Sequence, residues 1–195
     1  MNKPIPITKI LVLAAAVAAL AGCNAISRTA ESSSMIVVQS LTGTNAKGEA
    51  AAYLESDVVD SDGLVRANNA TANIAVRLVN PDPIHGPSQF NDVVLTGYRV
   101  TYELPTGPGT PGTDVPLPFD GNFSTVLCPV DKTTAVSFVV VLQAAKTAEP
   151  LASLRNTSTV LERRAKIEIF GHDLTDHRVT ATGYLTIFFA DYQEP

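Results

Sequence analysis

The sequence lacks the features that mark many enzymes and nucleic-acid-binding proteins. It has no tryptophan, only two cysteines and 17% charged residues, and its formal net charge is −5. An acidic chain without a basic run does not suit nucleic acid, because binding there depends on neutralising phosphates. The Gly-x-Ser-x-Gly elbow, the P-loop, the His-Glu-x-x-His motif and the Cys-x-x-Cys pair are all missing. These absences argue against nucleic-acid binding and against the enzyme classes that carry such motifs.

The one long apolar run lies at the N-terminus. Lys3 and Lys9 precede an unbroken apolar stretch at residues 10–21. This stretch is shorter than the roughly 20 residues that a membrane-spanning helix needs. A short positive region followed by such a run is typical of a secretory signal peptide. We therefore expect residues 1–22 to be a signal peptide that is removed.

The end of this run carries a resemblance to a known class of proteins. Leu20-Ala21-Gly22-Cys23 resembles the lipobox of bacterial lipoproteins. The resemblance implies cleavage before Cys23 and a diacylglyceryl group on its sulfur, which would tether the protein to a membrane of the cell envelope. Two or more acyl chains anchor a protein stably, whereas one binds weakly. Asn24, rather than Asp, follows the cysteine, and in this family that favours the outer membrane over the inner membrane where the organism has one.

Lipidation of Cys23 would leave Cys128 without a partner for an intramolecular disulfide. The exported domain must then be held by its hydrophobic core, and the chain is long enough to build one. We expect Cys128 to be buried at a strand end, just before Pro129.

The chain after the lipobox reads as a tether followed by one β domain. Residues 23–34 are small and polar and are predicted to be a flexible tether, and residues 35–195 form the domain. Alternation of apolar and polar residues predicts strands near residues 35–41, 51–59, 74–78, 98–104, 136–143, 165–170 and 179–189.

The segments between these strands carry turn and loop signals. Asp62-Gly63 is predicted to form a hairpin turn and Asp120-Gly121 another turn, with a Pro/Gly-rich loop at residues 105–118. Residues 151–164 are predicted to form a short helix or an irregular crossover.

Seven to eight short strands with at most one short helix predict an all-β protein, an antiparallel β-sandwich of immunoglobulin-like type. The similarity to immunoglobulin-like and fibronectin-type-III-like domains is one of pattern only, since the tryptophan and the cysteine pair of true immunoglobulin domains are missing. A lipocalin-like barrel is the alternative fold.

Two clusters of polar residues are candidate metal sites. The first comprises His172, Asp173, Asp176 and His177, whose imidazoles and carboxylates are metal-ligand types and could also supply a base with its orienting partner. The competing interpretation is a plain hairpin loop between two strands, in which Asp and Thr side chains bind nearby backbone.

The second cluster comprises Glu55, Asp57, Asp60 and Asp62, where carboxylates near a glycine suggest calcium. The spacing does not fit an EF-hand loop, so the competing interpretation is a turn with acidic neighbours that face solvent.

These observations favour a non-enzymatic, lipid-anchored interaction or structural module that needs no cofactor. Its expected partners are the membrane, through the lipid on Cys23, and an envelope protein that binds its loops or a strand edge. The second hypothesis is a small-ligand or carbohydrate-binding module, calcium-assisted or not, with a cleft lined by Tyr98, Tyr102 or Tyr184. An envelope hydrolase comes third, because it would need a nucleophile that converges with the His172–His177 cluster.

Overall fold

The computed structural model describes residues 32–81 and 86–192. The signal peptide, the lipobox with Cys23 and residues 23–31 lie outside the described residues, so those predictions remain predictions. Within the described part, no helix is long and apolar enough to cross a membrane.

Ten strands and one short α-helix make up the described chain, together with two single 3₁₀ turns. In chain order the strands are β1 (Ser34–Thr44), β2 (Ala50–Ala51), β3 (Tyr53–Asp57), β4 (Asn68–Leu78), β5 (Val93–Leu104), β6 (Gly107–Pro108), β7 (Phe119–Cys128), β8 (Thr133–Val141), β9 (Leu161–Asp173) and β10 (Arg178–Ala190). The helix, α1, spans Gln143–Lys146. The 3₁₀ turns span Gln89–Asn91 and Ala152–Leu154.

The strands form two sheets. The smaller sheet has the order β2-β1-β4-β8, and the larger has the order β3-β10-β9-β5, with β6 and β7 both paired to β5. All pairs are antiparallel except β3 with β10. The predicted all-β sandwich is confirmed.

The core lies between the two sheets and follows the predicted alternation. On β5, Tyr98, Val100 and Tyr102 are buried, whereas Arg99 is exposed between them. Successive side chains of a strand point to opposite faces, so an alternating sequence buries one face only. The Tyr102 hydroxyl donates a 2.6 Å hydrogen bond to the carbonyl of Val140 on β8, which joins the larger sheet to the smaller one.

Three local predictions were wrong. Asp120-Gly121 is not a turn but part of β7, where Asp120 pairs with Arg99 on β5. Asp62-Gly63 does form a turn, but it is not a hairpin, because β3 pairs with β10 in one sheet while β4 pairs with β1 in the other. Residues 161–164 belong to β9, so the irregular crossover ends earlier than predicted, with Leu151 and Leu154 buried in it.

The predicted tether also ends earlier, because Ser34 opens β1 and is buried. Cys128 is buried at the end of β7, as predicted, and burial raises the pKa of its thiol.

The strands run between two ends of the sandwich. We call the end that holds Ser32–Ser34 the N-terminal end; it also carries the β4–β5 connection, the β7–β8 turn and the β9–β10 hairpin. The opposite, distal end carries the loops at residues 58–67, 105–118 and 142–160.

Candidate functional site

The first predicted cluster is the tip of the β9–β10 hairpin, organised around the buried carboxylate of Asp173. The side chain of Asp173 is 0% exposed. Its Oδ1 accepts hydrogen bonds from the backbone N–H of Thr175 (2.9 Å) and of His177 (3.0 Å), and from the Thr175 hydroxyl (2.7 Å). Its Oδ2 accepts a 2.6 Å hydrogen bond from the hydroxyl of Ser32. The carboxylate thus shapes the turn and holds the start of the folded chain against it.

The same contacts set the acidity of Asp173. Burial alone would raise its pKa, but the hydrogen bonds from Ser32, Thr175 and the His177 backbone stabilise the charged form and lower the pKa to about 2. With four donors on its two oxygens, this carboxylate has little capacity left to coordinate a cation.

Of the other members of the cluster, His177 approaches the Asp173 carboxylate, with Nδ1 3.5 Å from Oδ2, whereas His172 and Asp176 form a separate, longer pair. His172 Nδ1 lies 3.0 Å from the carbonyl of Asp173 and 3.9 Å from Oδ1 of Asp176, whose side chain is 96% exposed. No group of three or more His, Cys, Asp and Glu side chains is arranged to hold a metal ion anywhere in residues 32–81 and 86–192. The geometry therefore favours a structural hairpin.

Thr175 lies between Asp173 and His177, which bears on the hydrolase hypothesis. Its hydroxyl is 2.7 Å from Oδ1 of Asp173 and 2.8 Å from Nδ1 of His177. In a nucleophilic triad the imidazole lies between the carboxylate and the hydroxyl and takes the hydroxyl proton. Here the hydroxyl faces the carboxylate, which is a weak base at a pKa of about 2. This order does not activate Thr175, so we do not propose hydrolysis.

The second predicted cluster includes a turn whose two carboxylates, Asp60 and Asp62, share one arginine. Asp60 Oδ1 accepts hydrogen bonds from the backbone of Asp62 (3.1 Å) and Leu64 (2.8 Å), and its Oδ2 lies 2.6 Å from Nε of Arg66. Asp62 lies 3.5 Å from the same guanidinium. The backbone N–H of Leu64 and the side chain of Arg66 lower the pKa of Asp60. Arg66 thus balances one of the two carboxylate charges, and the Asp60 oxygens are already engaged by the backbone and by the guanidinium.

The remaining members, Asp57 and Glu55, are engaged elsewhere. Asp57 Oδ1 accepts hydrogen bonds from the backbone of Val59 and Tyr192, and burial raises its pKa. Oε2 of Glu55 lies 2.5 Å from the backbone nitrogen of Ala46. The four carboxylates thus serve three separate local structures.

A buried lysine lies beside this turn. Lys146, on α1, is 1% exposed, and its Nζ donates a 2.5 Å hydrogen bond to the carbonyl of Asp57. Burial lowers its pKa to about 8, because the charged form loses its hydration, although the carboxylates of Asp57 and Asp60 partly offset this. The ammonium group fastens the end of β3, where the loop at residues 58–67 begins, to α1.

The third candidate is a cleft between two edge strands. β7 and β8 belong to different sheets, and each lies at the edge of its own sheet. A cleft of about 520 Å³ separates them, and none of its lining residues is charged: they are Asn69, Tyr98, Asn122, Phe123, Ser124, Val126, Ala135, Val136, Ser137, Phe138 and Val139. An edge strand offers free backbone donors and acceptors to an additional strand.

Aromatic rings form the floor of this β7–β8 cleft. The ring of Tyr98 lies 5.1 Å from that of Phe123 and 4.8 Å from that of Phe138. Only Tyr98 of the three predicted tyrosines lines it, and Tyr98 is 5% exposed. Tyr102 is in the core, and the ring of Tyr184 lies under the guanidinium of Arg164 at 4.9 Å. The cleft is therefore an apolar groove with an amide and hydroxyl rim, not an open tyrosine platform.

Comparison with known proteins found no relative of this chain. No protein family matches the chain, and no curated protein is similar to it.

Two residues that shape these sites gave little signal in the sequence. Ser32 stands in a run of serines that is typical of a linker, and only the fold brings it to Asp173, 141 residues further along. Lys146 lies between alanine and threonine, where a lysine is normally solvent-exposed.

Proposed function

We propose that this protein is a bacterial lipoprotein, anchored by lipid on Cys23 in the cell envelope, and that it serves there as a non-enzymatic interaction or structural module. The observation that carries the proposal is the lipobox at Leu20-Ala21-Gly22-Cys23, about nine residues before the folded domain begins at Ser32. A domain that starts so soon after the lipid would be held close to the membrane surface. Asn24 after the cysteine favours the outer membrane.

The anchor is tested by metabolic labelling with palmitate in a bacterial host. The full chain is expected to incorporate label and to fractionate with membranes, whereas the Cys23→Ala variant should do neither. Cys128→Ala is the matched control, since Cys128 is fully buried and should not affect labelling. Equal labelling of the wild type and Cys23→Ala would refute the anchor.

The interaction role rests on the β7–β8 cleft. An extended, uncharged peptide segment fits its chemistry, because edge strands supply backbone hydrogen bonds and the aromatic floor accepts apolar side chains. A photo-crosslinking residue at Ser137 in the cleft is expected to give a discrete adduct in membranes. The same residue at exposed Thr180, on the outer face of β10, should not give it. Ser137 and Thr180 giving identical adduct patterns would contradict the role of the cleft.

A small neutral ligand such as a carbohydrate is the second candidate for the same cleft. Its amide and hydroxyl rim, from Asn69, Asn122, Ser124 and Ser137, favours this candidate. Titration of the folded protein with neutral envelope oligosaccharides, followed by NMR, would show shifts at the cleft that Asn122→Ala abolishes. Shifts elsewhere, or none, would remove this candidate.

A further inference from the structure

Three exposed apolar side chains surround the point where the folded chain begins. Phe90 is 58% exposed, Val79 48% and Leu174 45%. They come from different parts of the sequence: the β4–β5 connection contributes Val79 and Phe90, and the β9–β10 hairpin contributes Leu174. All three lie at the N-terminal end of the sandwich.

Hydrogen bonds from the backbone of these residues, or from the residues next to them, connect them to the first residues of the domain. The backbone N–H of Val79 donates to the carbonyl of Ser33 at 2.9 Å. Asn91, next to Phe90, donates from Nδ2 to the Ser33 hydroxyl at 2.8 Å and accepts a 2.7 Å hydrogen bond from the Ser34 hydroxyl at its carbonyl.

Leu174 is held in the same way through its neighbour, because Asp173 accepts the hydrogen bond from Ser32. Its own backbone N–H donates to the carbonyl of Asp92 at 3.2 Å. The apolar side chains and the start of the domain therefore form one connected structure.

The covalent chain limits how far this end can lie from a lipid on Cys23. An extended chain advances at most about 3.6 Å per residue, so the nine residue steps from Cys23 to Ser32 span at most about 32 Å in any conformation. The sandwich itself is about 40 Å long, since β10 contains 13 residues at roughly 3.3 Å each. The tether thus keeps the N-terminal end within that distance of the lipid, whereas the distal end can lie a further length of the sandwich away.

The charged side chains at this end are of both signs. Asp173 is buried, and Asp131 lies 3.6 Å from Arg77, which balances its charge. Lys132 and Arg178 are exposed cations, set against the exposed carboxylate of Asp176. Clusters of basic residues are attracted to anionic lipids, but the described residues of this end carry three cations (Arg77, Lys132 and Arg178) against four carboxylates (Asp92, Asp131, Asp173 and Asp176). Membrane contact at this end therefore depends on the apolar side chains and not on charge.

We infer that the N-terminal end of the sandwich is a membrane-contact surface, in which Phe90, Leu174 and Val79 lie in the lipid interface around the tether. This inference rests on the proposed lipid anchor. The occupant of this apolar surface is the bilayer itself. The domain then stands upright on the membrane, and its distal loops point away from it.

The test uses the absence of tryptophan from the chain, which makes any introduced tryptophan the only one. Full-length, lipidated Phe90→Trp and Leu174→Trp variants are reconstituted into vesicles of phosphatidylethanolamine and phosphatidylglycerol, with and without phospholipid brominated on its acyl chains. Two control variants report other orientations: Leu64→Trp at the distal end (52% exposed) and Tyr184→Trp on the outer face of the larger sheet (52% exposed).

Brominated lipid is expected to quench Phe90→Trp and Leu174→Trp at least about twofold, because interfacial side chains lie roughly 5–10 Å into the headgroup and acyl boundary. Leu64→Trp and Tyr184→Trp should be unaffected. Quenching of Tyr184→Trp without Phe90→Trp would mean that the domain lies on its side, and this would overturn the inference.

The outcome separates failure of this inference from failure of the anchor. Mass spectrometry of the N-terminal peptide reports lipid on Cys23 independently of fluorescence. A lipidated protein that floats with vesicles but shows no quenching at position 90 or 174 would overturn the contact surface and leave the anchor standing. A protein without lipid on Cys23 would overturn both.

Discussion

The hydroxyl of Ser32 and the carboxylate of Asp173 are joined by a 2.6 Å hydrogen bond across 141 residues of sequence. Asp173 is buried and also accepts three hydrogen bonds within its own hairpin. One side chain therefore closes the β9–β10 turn and fastens the beginning of the domain to it. This relationship explains why a cluster that resembles a metal site is a structural element.

Replacement of Asp173 by asparagine should destabilise the domain. Asp173→Asn removes a buried charge that four donors satisfy, and hydrogen bonds to charged groups contribute about 1.5–3 kcal/mol each on removal. We expect a loss of about 2 kcal/mol in the free energy of unfolding, measured by urea titration, and about 1.5 kcal/mol for Ser32→Ala, which removes one of the four hydrogen bonds. Asp176→Asn is the matched control, because its side chain is 96% exposed and asparagine tolerates the positive φ of 66° there. Equal losses for Asp173→Asn and Asp176→Asn would contradict the stabilising role of the buried Asp173 carboxylate.

The same carboxylate predicts a loss of stability in acid. Its pKa is about 2 in the folded protein and near 3.8 when unperturbed. A lowered folded pKa adds stability that is complete above the unfolded pKa and disappears as the pH falls through the folded one. The stability difference between the wild type and Asp173→Asn should therefore be constant above about pH 5 and shrink by roughly 2 kcal/mol between pH 5 and pH 2. A difference that does not change over this range would show that Asp173 is not held as a stabilised carboxylate.

Prediction from sequence succeeded where alternation determines the fold and failed where distant contacts do. The strands that contain Tyr98 and Leu185 were predicted because their buried face repeats every second residue. β7 was missed because Asp120-Gly121 has the composition of a turn. In the fold, Asp120 makes a bidentate pair with Arg99, and the ring of Tyr98 occupies the space where a side chain at Gly121 would stand. No local pattern could reveal that pairing.

The candidate sites show the same limit. The residues of the acidic turn and of the histidine hairpin were identified from their types, but their hydrogen-bond partners decide what they do. Arg66 forms an ion pair with Asp60, and Ser32 supplies the long-range hydrogen bond to the Asp173 carboxylate. The β7–β8 cleft exists only because two edge strands of different sheets meet.

The buried ammonium of Lys146 predicts that stability also rises with pH in a second, alkaline range. Its pKa is lowered to about 8 in the folded protein from 10.5, so between these values the unfolded chain binds more protons. Stability then rises with pH over this range, because the burial penalty of the charge is relieved. Relative to Lys146→Met, the wild type should gain roughly 2–3 kcal/mol between pH 7.5 and pH 10.5. The control Lys132→Met, at an exposed lysine, should show no such change with pH. If the stability difference between the wild type and Lys146→Met does not change over this range, the Lys146 ammonium is solvated in the folded protein.

Divalent metal ions should not stabilise the folded domain. The carboxylate of Asp173 is saturated by donors, and that of Asp60 is paired with Arg66. A ligand that binds only the native state raises the unfolding midpoint once its concentration exceeds its dissociation constant, and the stabilisation grows with the logarithm of that ratio. Thermal unfolding with millimolar calcium or micromolar zinc is therefore expected to leave the midpoint where it is with chelator. A clear rise that Asp60→Asn or His177→Ala abolishes would instead assign a metal to that cluster.

The hydrogen bond from the Tyr102 hydroxyl is expected to contribute to stability by joining the two sheets. It donates a 2.6 Å hydrogen bond to the carbonyl of Val140, and the side chain is 2% exposed, so no water replaces the hydroxyl when it is removed. Leaving a buried carbonyl without its donor costs about 1–3 kcal/mol. Tyr102→Phe should lower the free energy of unfolding by that amount and speed hydrogen exchange along β8, which this bond ties to β5. Tyr184→Phe, at a 52% exposed tyrosine, should change either quantity little. If the two variants lose the same stability, the bond between the sheets contributes nothing, and β8 is held by its pairing with β4 and by side-chain packing.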